Sequence, residues 1–439
     1  MPAQSTTLSS TPQRIALVDA NNFYCSCERL FRPDLERTPM VVLSNNDGCV
    51  VARSAEVKAL GVAMGTPWFE MQALAKTHGI VAFSSNYTLY GDLSRRFMSV
   101  LGQFVLAAED QEVYSIDESF LDFTAQPQLD LNVTGRRIRQ QVRQWVGLPV
   151  CVGVGATKTL AKMANHAAKK QASWDGVCDL TTLTDAALDR LLAGFEVRET
   201  WGVGRRLCQR LASDGIHSVA DLRHASPQRI RERYSVVLER TVRELQGTPC
   251  MALETIPAAK QQIISSRSFG APLFTVEALA EPIRFHAARA AEKLRRQKSV
   301  AGALGVWIET NRFRPQDAQH CPSATLALPV PSADTSVLVA RAIHLLHTLL
   351  RPGHRYVKAG VMLLDISDRK RIQADLFAPD TPAKRDELMA LIDLVNAKWG
   401  RGTLATGSNG IRQARNWSMR RQQLSPAYTT RWSELRAVT

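Results

Sequence analysis

Two stretches of the sequence carry carboxylates where a buried strand ends or is interrupted. The apolar run Ile15–Val18 closes at Asp19, and Asp117 with Glu118 interrupts the extended stretch EVYSIDESFLDF at 112–123. Carboxylates at strand ends are a means of holding divalent cations. Transfer of a nucleotidyl group from a triphosphate needs such cations, because it asks a protein for charge neutralisation more than for covalent help. A condition comes with this reading: neighbours on a straight strand point to opposite faces, so Asp117 and Glu118 share a site only at a turn or bulge. Otherwise the acidic pair simply ends a surface strand.

Donors for a triphosphate lie nearby in sequence. Arg53 and Lys58 fall within CVVARSAEVKALG, and Lys162 falls on a helix read over Lys158–Lys170. On that helix Lys158, Lys162, His166 and Lys169 are spaced by four, four and three, which puts them on one face. A solvated basic stripe has the same spacing. GVGATK at 153–158 is not a P-loop, since the four-residue gap before the second glycine is missing. The segment Trp201-Gly202-Val203-Gly204-Arg205, followed by Arg206 and Arg210, is a hairpin that aims the amides of a helix start at a phosphate without reading sequence. A plain corner between two helices is the alternative.

The elements that must position these residues read as mixed α and β. Strands are expected at Met40–Leu43 and Pro149–Val154, a helix over Leu89–Leu106, and extended chain over Val113–Phe123. From Leu183 to Leu245 the pattern is helical, broken at Gly202 to Gly204 and at Gly215. Thr248–Ala259, with Pro249 and Pro257, reads as a linker. Strand, helix, strand, strand, helix, strand then follow over Ile263–Phe269, Ala278–Lys298, Ala303–Phe313, Ser323–Val330, Ser336–Leu350 and Tyr356–Ile366, an order that suits a split βαβ sandwich. Residues 257–370 hold 16 Lys plus Arg against 8 Asp plus Glu. Within the first of these helices Arg289, Lys293 and Arg296 lie opposite an apolar row of Leu279, Ile283, Ala290 and Leu294. Beyond residue 370 the tail carries Trp399, Trp417 and Trp432, too aromatic for a linker alone.

With 439 residues, two to four compact units are expected. Hydrophobic content of 45% and charged content of 22% exclude both a disordered and a membrane protein. A formal charge of +14 favours a polyanionic partner, nucleic acid before an acidic membrane surface. Eight scattered cysteines, at 25, 27, 49, 151, 178, 208, 250 and 321, read as reduced thiols; Cys25 and Cys27 lack the second pair that zinc requires. The first 13 residues lack the basic start and apolar stretch of a secretory signal and read as a flexible tail. No apolar run reaches 18 residues, so a cytoplasmic protein without a membrane partner is expected.

The strings DANNFYCSCE, NNDGCVVARSAEVKALG and VYSIDESFLDF, with the glycine hairpin, together resemble the Y family of translesion DNA polymerases. The likeness runs from residue 14 to the ending NWSMRRQQLSPAYTTRWSEL and is nearest to the UmuC-like branch, the catalytic subunits of bacterial DNA polymerase V. It implies an α+β multidomain right hand: a palm over 14–180 with small fingers inserted at about 26–80, a helical thumb with helix-hairpin-helix over 181–247, a linker over 248–259, a split-βαβ little finger over 260–370, and a tail over 371–439. By motif, Asp19, Asp117 and Glu118 become ligands of two Mg2+ ions, and Tyr24 the steric gate against ribonucleotides. Arg53, Lys58 and Lys162 become triphosphate contacts. Gly202, Gly204, Arg205, Arg289, Lys293 and Arg296 become contacts to primer-template DNA. Asn21 stands where many relatives carry Asp, as in UmuC-like chains. QADLF at 373–377 resembles the peptide that docks on the β sliding clamp, with Gln373, Leu376 and Phe377 as its contacts. A processed UmuD-like dimer and RecA are the further partners implied. The activity implied is error-prone, dNTP-consuming synthesis past damaged template bases in the SOS response. A DinB-like polymerase independent of UmuD and RecA, and a non-catalytic scaffold, are the alternatives.

Overall fold

The computed structural model describes residues 12–255, 258–371, 383–400, 402–407, 417 and 419–435. The expected N-terminal tail and the clamp peptide lie largely or wholly outside these residues. Contacts divide the chain into two units, one of residues 1–44, 49–257 and 423–439, the other of residues 45–48 and 258–422.

In the first unit, Ile15 to Val18 are buried on both faces, the behaviour of an aliphatic run at the middle of a covered sheet. They open β1 (Ile15–Ala20), which leads into α1 (Phe23–Leu30). Next come β2 (Met40–Leu43), β3 (Val50–Arg53) and β4 (Val81–Ser84), with α2 (Ala55–Ala59) and α3 (Trp68–His78) between the last two. They form a small sheet ordered β3-β2-β4 with its own core of Val41, Leu43, Val57 and Met71. Helix α4 (Tyr87–Leu101) stops five residues short of the sequence expectation, where the N–H groups of Gln103 and Phe104 turn to Val100 O and Leu101 O, three residues back instead of four.

The stretch expected to be continuously extended is a hairpin. Strand β5 (Gln111–Val113) ends, the N–H groups of Tyr114 and Ser115 both donate to Glu118 O at 3.1 Å, and β6 begins at Glu118 and runs to Asp122. The turn that two neighbouring carboxylates need is therefore present. After α5 (Leu131–Trp145), strands β7 (Val150–Gly155) and β8 (Val177–Asp179) complete a five-stranded sheet ordered β5-β6-β1-β7-β8.

Helix α6 (Lys158–Lys170) lies directly on β1 and β7. Thr157 caps it by accepting from the Leu160 N–H, and Asn165 donates to Leu17 O and Cys151 O at 3.2 and 2.8 Å. The approach is close because Gly153 has no side chain: a Cβ there would sit 2.0 Å from Asn165 N and 2.5 Å from Ala161 O. Five helices follow, α7 (Asp185–Ala193), α8 (Arg205–Ser213), α9 (Val219–His224), α10 (Pro227–Arg233) and α11 (Val236–Leu245), around a core that includes Leu192, Leu211, Leu222 and Val242. Buried Glu244 of α11 accepts from Thr159 N–H and Oγ1 at the start of α6, where a carboxylate suits the helix dipole. It also accepts from the N–H groups of Cys250 and Met251, so the described part of the expected linker is fastened to this unit.

The second unit holds β9 (Ile263–Leu273), α12 (Val276–Arg296), β10 (Ser299–Thr310), β11 (Ser323–Ser332), α13 (Thr335–Leu349) and β12 (Tyr356–Asp368), followed by α14 (Ala383–Trp399). The sheet order is β11-β10-β12-β9 with every neighbour antiparallel, so β9 and β10 run parallel with β12 between them. That is the split βαβ arrangement. Strand β10 ends at Thr310, leaving Phe313 exposed in a loop where the sequence reading had strand.

Gly153→Ala should force α6 off β7 and lower stability by about 2 kcal/mol or more, as overpacking against immobile backbone does. Thermal unfolding reads this directly; an unchanged midpoint would mean that the helix has room the distances deny.

Candidate active site

Asp19 of β1 lies directly opposite Glu118 of β6 across an antiparallel pair, so both side chains leave the sheet on one face. Asp117 is the last residue of the turn. Its carbonyl accepts from the Ala20 N–H at 2.9 Å, and its Oδ1 accepts from Ser115 Oγ at 2.7 Å, while Ser115 Oγ accepts from the Glu118 N–H at 3.0 Å. Helix α6 covers this face with cations: Lys169 Nζ is 2.6 Å from Asp19 Oδ2, and Lys162 Nζ is 2.9 Å from Glu118 Oε1. Burial lifts the Asp19 carboxyl from its usual 3.8 to about 6; Lys169 opposes the lift, and the charges of Glu118 and Asp117 add to it. Among the described residues no three His, Cys, Asp or Glu side chains converge on one point. The backbone brings the three carboxylates together while their oxygens turn to lysines and a hydroxyl. Three neighbouring carboxylates are hard oxygen donors, the kind of ligand that divalent cations take.

The basic stripe of α6 is not a solvated one. Besides the two lysines above, buried Lys158 pairs with buried Glu112 at 2.6 Å, and His166 meets Glu199 at 2.9 Å. Lys162 also lies over the rings of Tyr114 and Trp201, 4.3 and 5.0 Å from their centroids. Arg53 and Lys58 stand elsewhere. Arg53 donates to Val62 O and leaves a buried Nε without a partner; Lys58 donates to Asn22 Oδ1. Burial first, then the charges of Arg53 and Lys169, hold Lys58 below its usual range. Lys169, on the same face of α6 as Lys162, thus adds to the positive charge around Lys58.

Tyr24, in the first turn of α1, stacks on Tyr90 at 4.5 Å between ring centroids and meets Tyr87 edge-on at 6.0 Å. Burial, then Tyr87 and Asp117, push its hydroxyl up, which places it in the field of the carboxylates. Tyr90 in turn donates to buried Glu28, one turn beyond Tyr24, at 2.7 Å. Ser425 Oγ donates to the same oxygen at 3.0 Å. Burial raises Glu28 from 4.5 to about 7 against these two hydrogen bonds.

The impB/mucB/samB family profile matches residues 18–166, its C-terminal domain profile residues 260–376, and a domain of unknown function (DUF4113) residues 386–438. A solved Y-family DNA polymerase chimera built from Dbh and Dpo4 superposes with a TM-score of 0.62 at 20% identity, covering 80% of this chain and 99% of that one. Protein UmuC of Salmonella typhimurium (strain LT2) is 46% identical over 426 residues, which span 96% of this chain and 99% of that protein. The chain belongs to the UmuC-like translesion polymerases of the impB/mucB/samB family, and its fold is that of the Y-family DNA polymerases. Protein SamB of Salmonella typhimurium is similar to nearly the same extent, 44% identical over 96% of this chain and 99% of its own length.

In this UmuC-like polymerase the glycine hairpin leaves the start of α8 open. Gly202 takes φ +86°, Gly204 caps α8, and a Cβ at either would meet open space. Arg205 and Arg206 occupy the first turn of α8, where the helix dipole disfavours cations unless an anion joins them. In the second unit the predicted stripe is partly self-neutralised: Glu292 pairs with Arg289 at 2.5 Å and Arg296 at 3.0 Å, and Lys293 donates to Ile264 O. The same unit carries a groove that the sequence reading missed, lined by Arg312, Arg314, Arg355 and Lys358 together with Glu309 and Asp317, which pair with Lys358 at 3.2 Å and Arg355 at 3.7 Å. Gln373, Leu376 and Phe377 lie outside the described residues. No helix among the described residues is long and apolar enough to cross a membrane.

Glu28 makes stability depend on pH in a defined direction. Its folded value is above its ordinary one, so its contribution is full below about 4.5 and is lost as pH rises to about 7. The thiols of Cys25 and Cys27 and the Tyr90 hydroxyl are all pushed up, leaving Glu28 as the group of this cluster that titrates there. Between pH 5 and 8 the wild type should lose stability relative to Glu28→Gln, on the order of 3 kcal/mol. Parallel pH profiles for the two proteins would contradict this.

Proposed function

We propose that this UmuC-like polymerase extends a primer past damaged template bases with Asp19, Asp117 and Glu118 as ligands of two Mg2+ ions. The observation that carries the proposal is the register of Asp19 opposite Glu118, with Asp117 in the adjoining turn. When bound, the ions activate the primer 3'-hydroxyl and neutralise charge on the departing pyrophosphate. Arg53, Lys58, Lys162 and Lys169 bind the triphosphate of the incoming dNTP. The Tyr24 ring occupies the space a ribonucleotide's 2'-hydroxyl would need, which rejects the wrong sugar by clash. Amides of the Gly202–Gly204 hairpin with Arg205, and the basic surface of the second unit with Arg289, Lys293 and Arg296, hold primer-template DNA through its backbone, so binding is indifferent to sequence.

Likeness to UmuC supports the finer setting: a cytoplasmic enzyme of the SOS response that works with a processed UmuD-like dimer and RecA and reaches the β sliding clamp through Gln373, Leu376 and Phe377. Asp117→Ala should abolish primer extension opposite an abasic site while leaving DNA affinity within about twofold of wild type. Retained synthesis would remove Asp117 from the site. Leaving out the UmuD-like dimer or RecA from the same assay should stop extension; undiminished extension would favour a DinB-like enzyme.

A further inference from the structure

We propose that the C-terminal segment Gln423–Tyr428 is a strap that positions the sugar-discriminating Tyr24, acting through Ser425, Glu28 and Tyr90. The inference rests on the reading of Tyr24 as the residue facing the sugar. Each link is a direct contact. The strap lies beside β4: Gln423 O accepts from the Ser84 N–H at 2.9 Å, and the Gln423 N–H donates to Ser84 Oγ at 3.1 Å. Asn86, the N-cap of α4, uses its carbonyl to hold the Leu89 N–H and its amide to reach Ser425 O, Ser425 Oγ and Pro426 O at 3.2, 2.9 and 3.1 Å. Tyr428 is buried and stacks on Phe31, at the C-cap of α1, at 4.4 Å with the planes 9° apart. The strap thus grips both helices that carry the tyrosine pair, α1 with Tyr24 and α4 with Tyr90.

Ser425 joins the two gripping points. Its hydroxyl and that of Tyr90 donate to one oxygen of Glu28, a fully buried carboxyl. Glu28 is one turn from Tyr24 on α1, so the Tyr90 side chain is fixed at its tip by Glu28 while its face supports the Tyr24 ring. A ring that excludes a single hydroxyl must be held within a fraction of an ångström, and a contiguous hydrogen-bonded chain in a dry core supplies that rigidity. Without Ser425 the Glu28 carboxyl keeps one donor, and the Tyr90 ring gains freedom to let Tyr24 swing aside.

The test is single-turnover insertion of dNTP and of the matching ribonucleotide by the full chain with its activating partners, for Ser425→Ala, Ser425→Thr, Tyr90→Phe and Tyr24→Ala. Ser425→Ala and Tyr90→Phe should each lower the preference for the deoxy sugar by about 5-fold or more with dNTP insertion little changed, and Ser425→Thr should restore it. Tyr24→Ala should abolish most of the preference. If Ser425→Ala and Tyr90→Phe slow both nucleotides equally, or change neither, while Tyr24→Ala relaxes selection, the strap is only structural and the inference fails. If Tyr24→Ala leaves selection intact, the reading of Tyr24 is what fails, and the inference falls with it.

Discussion

Two carboxylates facing one another on adjacent strands, in a half-buried place, are the constraint around which this unit is arranged. Asp19 and Glu118 repel, burial disfavours the ionised state of Asp19, and Asp117 adds a third negative charge at the turn. Such an arrangement folds only if positive charge stands on it. Helix α6 provides that charge at Lys162 and Lys169, seven residues apart and so on one face, and the small residues beneath the helix let it come close enough to deliver it. In the proposed function the same charges are exchangeable: cations that satisfy the carboxylates better would release the lysines to a substrate's phosphates, so that balancing the carboxylates and binding a triphosphate are two uses of one set of cations.

Much of this was legible in the sequence because it is local. The apolar run before Asp19, the Lys158–Lys170 helix, and the six-element order of the second unit follow from periodicity and from breakers such as Gly204. The turn at Ser115 to Asp117 was not legible as a turn, since it holds neither glycine nor proline. It is made by the Ser115 hydroxyl, which accepts from the N–H groups of Asp117 and Glu118 and donates to Asp117 Oδ1. A serine among β-formers carries no signal of that kind until the backbone is seen. The partners of Lys162 and Lys169 were likewise out of reach, because spacing puts both on one face and only the tertiary fold gives Glu118 to one and Asp19 to the other.

The tail shows the same limit more strongly. Of the three tryptophans that mark it as more than a linker, Trp417 is buried in the core of the second unit while Trp399 and Trp432 are exposed, and Tyr428, which the sequence reading did not single out, is buried in the core of the first. The partners of the strap are more than 300 residues away in sequence, Asn86 and Glu28 among them, and neither residue carries a pattern that names a serine near the C-terminus. Glu28 in particular is fully buried, and nothing in the sequence reading singled it out. Buried polar groups that are satisfied only by distant chain are where sequence reasoning stops.

The central claim is that Asp19, Asp117 and Glu118 hold the ions of nucleotidyl transfer. The most direct measurement is the anomalous scattering of Mn2+ in crystals of the polymerase with primer-template and a non-reactive dNTP. The account predicts two peaks bounded by these three carboxylates, about 3.5–4 Å apart, with Lys162 and Lys169 withdrawn from Glu118 and Asp19. Bound nucleotide with no peak between the three carboxylates, and both lysines still paired as they are here, would contradict it.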